Sequence, residues 1–299
     1  MKLLFGSDLH GQTEQFRCLV AAARERKCDA LLLGGDICPR LSSLAHVSSD
    51  MASRAAALPL QAQWVKDTLM PVLQASACPV VMIFGNTDAQ WTVDEVKQWL
   101  QQQAQPSVVR ILDNGWCELG PDVHLFGYPC VPPSDHRQKD WERWDEGHDV
   151  DPVKRMTVFS PKGFLSGSGA MEPTSLDPAT SIRAELEHLR DDTLSLRKKN
   201  VKTLWMLHGP PKNTCADEAH DNVHVGSQAI RDLIAECQPL ATFHGHIHES
   251  FAMSGRFRDH IGATSVFTSG HDFHKPAVAC IEFDTDHPDD AQRLLLRYY

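Results

Sequence analysis

No stretch of the 299-residue chain approaches the roughly 18 consecutive apolar residues that a membrane-spanning helix needs. Only Leu3, Leu4 and Phe5 stand in a row before Asp8, too few for the apolar segment of a secretory signal. There is no Cys-x-x-Cys pair, and the nine cysteines are odd in number and scattered from Cys18 to Cys280, which argues against a disulfide framework or a zinc ribbon. Positive charge is scarce. With 29 Lys and Arg against 39 Asp and Glu, the net charge of −10 disfavours general nucleic-acid binding, which relies on basic side chains neutralising phosphates. The Gly-rich stretch from Gly163 to Gly169 lacks the Lys-Ser/Thr pair that would complete a phosphate-cradling P-loop. These absences predict a soluble, cytoplasmic protein with neither a membrane nor a nucleic acid as partner. They leave its oligomeric state open.

Histidine, by contrast, is abundant: there are 16, and nine of them fall between His208 and His274. Five short motifs carry the information: Asp8-Leu9-His10, Gly34-Gly35-Asp36, Gly85-Asn86, His208-Gly209 and Gly245-His246-Ile247-His248. Each hangs on the end of a short apolar run, namely Lys2 to Phe5, Ala30 to Leu33, Val80 to Phe84, Thr203 to Leu207 and Ala241 to Phe243, as buried strands should read. Singly, the first four motifs have ordinary explanations as turns, helix caps or a strand end, whereas Gly-His-Ile-His says more, because imidazoles two apart project to one side of an extended segment. Together, in order, they deliver carboxylate, carboxamide and imidazole groups to the carboxyl ends of strands, where ligand sites of open α/β sheets lie. That donor mixture suits a pair of divalent transition metals.

This set of blocks resembles the calcineurin-like metallophosphoesterase superfamily, and the stretch from His208 to His248, with Pro210-Pro211 and Val225-Gly226-Ser227, looks most like its Icc-related branch. The resemblance implies a four-layer α/β/β/α sandwich of two mixed sheets flanked by helices. It implies one domain over residues 1–299, interrupted by a lid-like insertion at about 132–200. Asp8, His10, Asp36 and His248 would hold one metal, and Asp36, Asn86, His208 and His246 the other, with Asp36 bridging. Manganese leads among the candidate ions, with iron, zinc, nickel or cobalt as alternatives. Asp36, Asn86 and His208 would then be central to catalysis, in which metal-bound hydroxide attacks the phosphorus of a small phosphate ester. A diester leads; a phosphomonoesterase, or a metal-binding scaffold with little activity, is the alternative.

One position departs from the pattern. Where many members carry a His after Gly-Asn, thought to protonate the leaving oxygen, this chain has Thr87 followed by Asp88. His220, His224, His271 and His274 are candidates to replace it, because they lie near the ligand blocks in sequence. Asp88 reads either as a support for a ligand imidazole or as the cap of a helix beginning near Trp91. Thr87 itself, Arg40 and Ser227 are the candidate substrate-binding residues, Ser227 because the free amides of the helix it opens could receive a phosphate.

Helices are predicted from Gln12 to Lys27, Gln61 to Leu73 and Ser227 to Cys237, and strands from Val108 to Leu112, Trp116 to Leu119 and His124 to Tyr128. Arg197-Lys198-Lys199 reads as a helix C-terminus. Within the insertion, the segment around Trp141 and Trp144 reads as a helix over the rim, and Ser160 to Ser168 as a loop.

Overall fold

The computed structural model describes residues 1–44, 51–146, 161–271 and 276–298. Its first half alternates strand and helix: β1 (Lys2–Gly6), α1 (Thr13–Glu25), β2 (Ala30–Gly34), α2 (Met51–Trp64), α3 (Met70–Gln74), β3 (Val80–Ile83), α4 (Gln90–Gln101) and β4 (Val109–Ile111). The chain then turns through β5 (Gly115–Gly120), β6 (Val123–Tyr128), β7 (Lys162–Leu165) and β8 (Glu172–Ser175) to α5 (Ile182–Glu185) and α6 (Glu187–Lys198). Next come β9 (Lys202–Leu207), β10 (Glu218–Ala219), β11 (Val223–His224), α7 (Gln228–Cys237), β12 (Ala241–His244) and α8 (Ser250–Ser254). The last strands are β13 (Arg258–Ile261), β14 (Thr264–Thr268), β15 (Ala277–Asp284) and β16 (Gln292–Arg297).

Two six-stranded sheets result, in the orders β16-β15-β1-β2-β3-β4 and β13-β14-β12-β9-β6-β5. In the first, β1 to β4 run parallel, while β15 lies antiparallel to β1 with Leu3 opposite Phe283. In the second, β6, β9, β12 and β14 run parallel, and β5 and β13 close the edges antiparallel.

Alternation along the strands divides the apolar side chains between two faces. Leu3, Phe5, Leu32, Val81 and Ile83 join Leu125, Leu204, Met206 and Phe243 between the sheets. There the Phe243 ring lies 5.2 Å from Phe5 and 5.5 Å from Phe267. Leu4, Leu31, Leu33 and Met82 face outward onto Phe16, Leu19, Val65 and Val93 of the first helical layer. Trp205 and Leu207 face a second helical layer that includes Leu189 and Ile230. The expected four-layer sandwich is the observed one. No helix among the described residues is long and apolar enough to cross a membrane.

Two local expectations differ. The helix expected from Gln61 begins at Met51 and runs through a π-helical stretch, Val65–Leu69, into α3. Pro59 inside α2, an interior position that helices tolerate poorly, hides its first half from the sequence. The segment around Trp141 is no helix but irregular chain tied down by isolated bridges, Val131 to Glu142 and Trp144 to Ser181, because its carboxylates are spent on backbone N–H groups elsewhere. Part of the expected loop after Ser160 is β7, paired antiparallel with β8. Residues 182–198, at the end of the expected insertion, are α5 and α6, and Leu189 packs on the second sheet.

Candidate metal centre

The seven expected ligands converge where β1, β2, β3, β9 and β12 end. The loops carrying them are laced together through the main chain: Asp8 N–H donates to Gly35 O, His10 N–H to Asp36 O and Gly245 N–H to His208 O. Asp8, His10, Asp36 and His246 adopt left-handed φ values of 59°, 43°, 51° and 69°. For residues with a Cβ this conformation costs roughly 1–2 kcal/mol each, so surrounding structure must impose it.

The motif glycines make room for ligands from other loops. A Cβ on Gly85 would sit 2.4 Å from Asp36 Oδ1 and 2.6 Å from His208 Nε2. One on Gly35 would meet His208 Nδ1 at 2.4 Å, at a residue whose φ is already +100°.

Two groups of donors form, sharing Asp36. Ligand atoms of Asp8, His10, Asp36 and His248 all lie within 4.8 Å of one another. His10 Nε2 faces His248 Nε2 at 3.2 Å and Asp36 Oδ2 at 3.4 Å, and His248 Nε2 is 3.4 Å from Asp8 Oδ1. On the other side, His208 Nε2 lies 3.4 Å from Asp36 Oδ1 and 3.2 Å from Asn86 Oδ1, which is 2.9 Å from His246 Nδ1. The backbone fixes the His208 tautomer: Nδ1 donates to Gly34 O at 2.8 Å, so in the neutral ring Nε2 points a lone pair at two oxygen acceptors. Asp8 is oriented by Ser7 Oγ at 2.6 Å and His246 N at 2.9 Å.

Such a convergence of lone pairs suits a cation. Burial opposes charge on Asp36, yet His208 and His10 outweigh it and hold the carboxyl well below its ordinary range. Burial opposes charge on His208 too, but Asp36 pushes it up to about 9. His248 is raised against burial by Asp8, while burial pushes His10 down to about 4 and His246 to about 3. The donor set fits two divalent cations.

Two residues expected to meet substrate turn inward instead. Ser227 is fully buried: its hydroxyl accepts from Ile230 N and donates to Asp145 Oδ1, and Asp145 also takes the Gln228 amide at 2.7 Å. The start of α7, which the sequence leaves open for a phosphate, is filled by this carboxylate. Thr87 is buried as well; its N–H donates to Asp36 Oδ1 at 2.9 Å and its hydroxyl lies 3.3 Å from His10 Nδ1. It positions two ligands. Arg40 stays exposed, with its charge acting on His10 and His248.

Of the histidines considered as proton donors, His271 has its ring 6.3 Å from that of His248. His220 is exposed beside Glu249, His224 bonds Asp217 at 2.8 Å, and His274 lies outside the described residues.

Sequence reasoning missed what Asp88 does. Its carboxylate accepts from Ile37 N, Cys38 N and Gly85 N at 2.7–3.1 Å, binding the loop that carries Asp36 to the loop that carries Asn86. Burial and the Asp36 charge push it up to about 7 against those donors. His244 and His136 were missed too. His244 Nδ1 donates to Leu207 O and Gly209 O, and its Nε2 accepts from Thr242, which fixes the strand end ahead of His246. The only signal in the sequence was its adjacency to Gly245.

The profile of the calcineurin-like phosphoesterase family matches residues 1–250, which include all seven candidate ligands, and the chain belongs to that family. One solved structure, 14% identical, superposes with a TM-score of 0.63 over 99% of this chain and 98% of its own. TT1561 of Thermus thermophilus is similar at 15% identity and a TM-score of 0.58, covering 99% of each chain. A dimetal phosphatase from Danio rerio is similar at 13% identity and a TM-score of 0.58, covering 100% of this chain and 99% of its own. No curated protein matches the sequence.

Proposed function

We propose that the protein hydrolyses a small phosphate ester, a diester ahead of a monoester, using two divalent transition metals held by Asp8, His10, Asp36, Asn86, His208, His246 and His248. The observation that carries this reading is the pair of donor groups sharing Asp36, with Asp36 Oδ1 turned to His208 and Oδ2 to His10. When bound, such a pair supplies Lewis-acid charge at the phosphoryl oxygens and an activated water. Imidazole and carboxamide donors suit manganese, iron, zinc, nickel or cobalt better than magnesium, which prefers oxygen ligands and retained water. Around that pair the protein's own groups have separate tasks. Thr87 and Ser7 orient His10 and Asp8, while Asp88 fixes the distance between the Asp36 and Asn86 loops. Arg40 supplies an exposed positive charge at the rim, suited to drawing in an anionic ester.

Thr87 supports the diester. A hydroxyl engaged with His10 is a poor proton donor near neutral pH, which favours esters whose leaving group departs without one. The test is hydrolysis of bis(p-nitrophenyl) phosphate and p-nitrophenyl phosphate by protein of measured metal content. Activity should vanish with chelator, return with manganese and stay low in magnesium alone; undiminished turnover by metal-free protein would overturn the reading. Rates that rise steeply as the leaving-group pKa falls are expected for alkyl against aryl esters.

A further inference from the structure

Beside the metal ligands lies a second concentration of basic groups. Arg54, Leu58 and Gln61 fall at i, i+4 and i+7 along one face of α2. Gln61 shows where that face points: its amide donates to Pro39 O at 2.9 Å and accepts from Ala89 N at 3.1 Å, so it grips both the Asp36 and the Asn86 loops. Arg54 therefore sits two turns along, on the same side. Its Nε is buried with no hydrogen-bond partner, and neither it nor Arg40 forms an ion pair among the described residues.

The irregular segment before β7 supplies the third group. Leu58 and Leu41 pack with Phe164, whose backbone is bonded both ways to the chain at Arg137 and Lys139. That places His136 next to the apolar patch that contains Leu58, one turn along α2 from Arg54. The segment is rigid there: the fully buried pair Lys139 and Glu142 meets at 2.6 Å, Ser134 donates to Glu142, and Trp141 Nε1 donates to Asp88 O at 2.9 Å. Burial pushes the His136 ring down to about 4, and the charges of Asp36, Lys139, Arg40 and Arg54 all act on it.

Charge balance says what these groups are for. Two divalent cations against Asp8 and Asp36 leave about two positive charges, which one phosphoryl group already matches. Two guanidinium groups are then in surplus, with the neutral His136 ring beside them as a hydrogen-bond donor. Resting on the phosphoesterase reading, we propose that Arg40, Arg54 and His136 form an anion subsite flanking the metal centre, and that it takes a second phosphoryl group carried by the substrate. Guanidinium forks suit this, since they meet phosphate oxygens two at a time.

The experiment compares methylenebisphosphonate with methylphosphonate as inhibitors of nitrophenyl-ester hydrolysis, with metal content checked after each addition. Wild type should bind the bisphosphonate more tightly, and Arg54→Gln should shrink that advantage about tenfold, as expected when one charge-assisted hydrogen bond is removed. Reading the ratio within each variant cancels any general loss of activity, and His136→Gln should lower it in the same direction. Arg54→Lys, which keeps the charge without the fork, should retain part. If the protein hydrolyses no ester, the same ratio is read by calorimetric titration, so failure of the subsite and failure of the hydrolase reading stay apart. No advantage in wild type, or an undiminished one in both Gln variants, would overturn the subsite.

Discussion

Gly85 has no side chain to offer, yet it governs others. Because an added Cβ would lie 2.4 Å from Asp36 Oδ1 and 2.6 Å from His208 Nε2, Gly85→Ala must displace ligands from both donor groups. Retained metal after dialysis should fall at least tenfold, whereas Gly167→Ala, with nothing within 4 Å of its Cβ, should retain metal like wild type. Asp88 permits a second expectation at this scale. Asp88→Asn replaces one of its two accepting oxygens with a donor, leaving at least one of the buried Ile37, Cys38 and Gly85 amides unpaired. An unsatisfied buried donor costs about 1–3 kcal/mol. Urea unfolding should show that loss together with weaker metal retention. A variant that lost stability but kept full metal affinity would deny Asp88 its positioning role.

Residues 129–146 show how a polar, irregular stretch is tied down. Lys139 and Glu142 are both fully buried, and burial pushes Glu142 up to about 7 while Lys139 pulls it back. Removing one member of such a pair strands the other. Lys139→Met should therefore cost roughly 3–5 kcal/mol by denaturant unfolding, and Lys139→Met/Glu142→Leu much less. This is the element the sequence misreads. Strands β1, β2, β3, β9 and β12, and the convergence of seven candidate ligands at their ends, were legible because short apolar runs and turn residues are local signals. Asp145 filling the start of α7, 82 residues away from Ser227, and Trp141 reaching Asp88 across 53 residues are not local, and no spacing rule finds them. Thr87 misled for the same reason: its neighbour His10 is 77 residues distant.

At the scale of the molecule, buried neutral imidazoles tie the fold to pH. His244 lies within the second sheet, pushed down to about 4 by burial against two carbonyl acceptors. An unfolded His titrates near 6.5, so its contribution to stability is fully present above that value and is lost as pH falls toward 4. A shift of that size amounts to roughly 3 kcal/mol. Unfolding free energy should fall more steeply between pH 6.5 and 4 for wild type than for His244→Asn, which has no proton to gain. Equal slopes would mean that His244 titrates alike in both states.

The pairing of β1 with β15 carries a consequence for how the protein is made. Lys2 to Phe5 lie opposite Ile281 to Asp284, so a strand made early in synthesis waits for one made far later before both its edges are satisfied. Pairings so distant along the chain slow folding, and an open edge invites pairing with other molecules. A nascent chain halted before Ala277 exposes one side of β1, the strand that leads to Asp8 and His10. Such truncated chains should aggregate rather than accumulate as soluble metal binders. During refolding, tight metal uptake should coincide with the slowest phase.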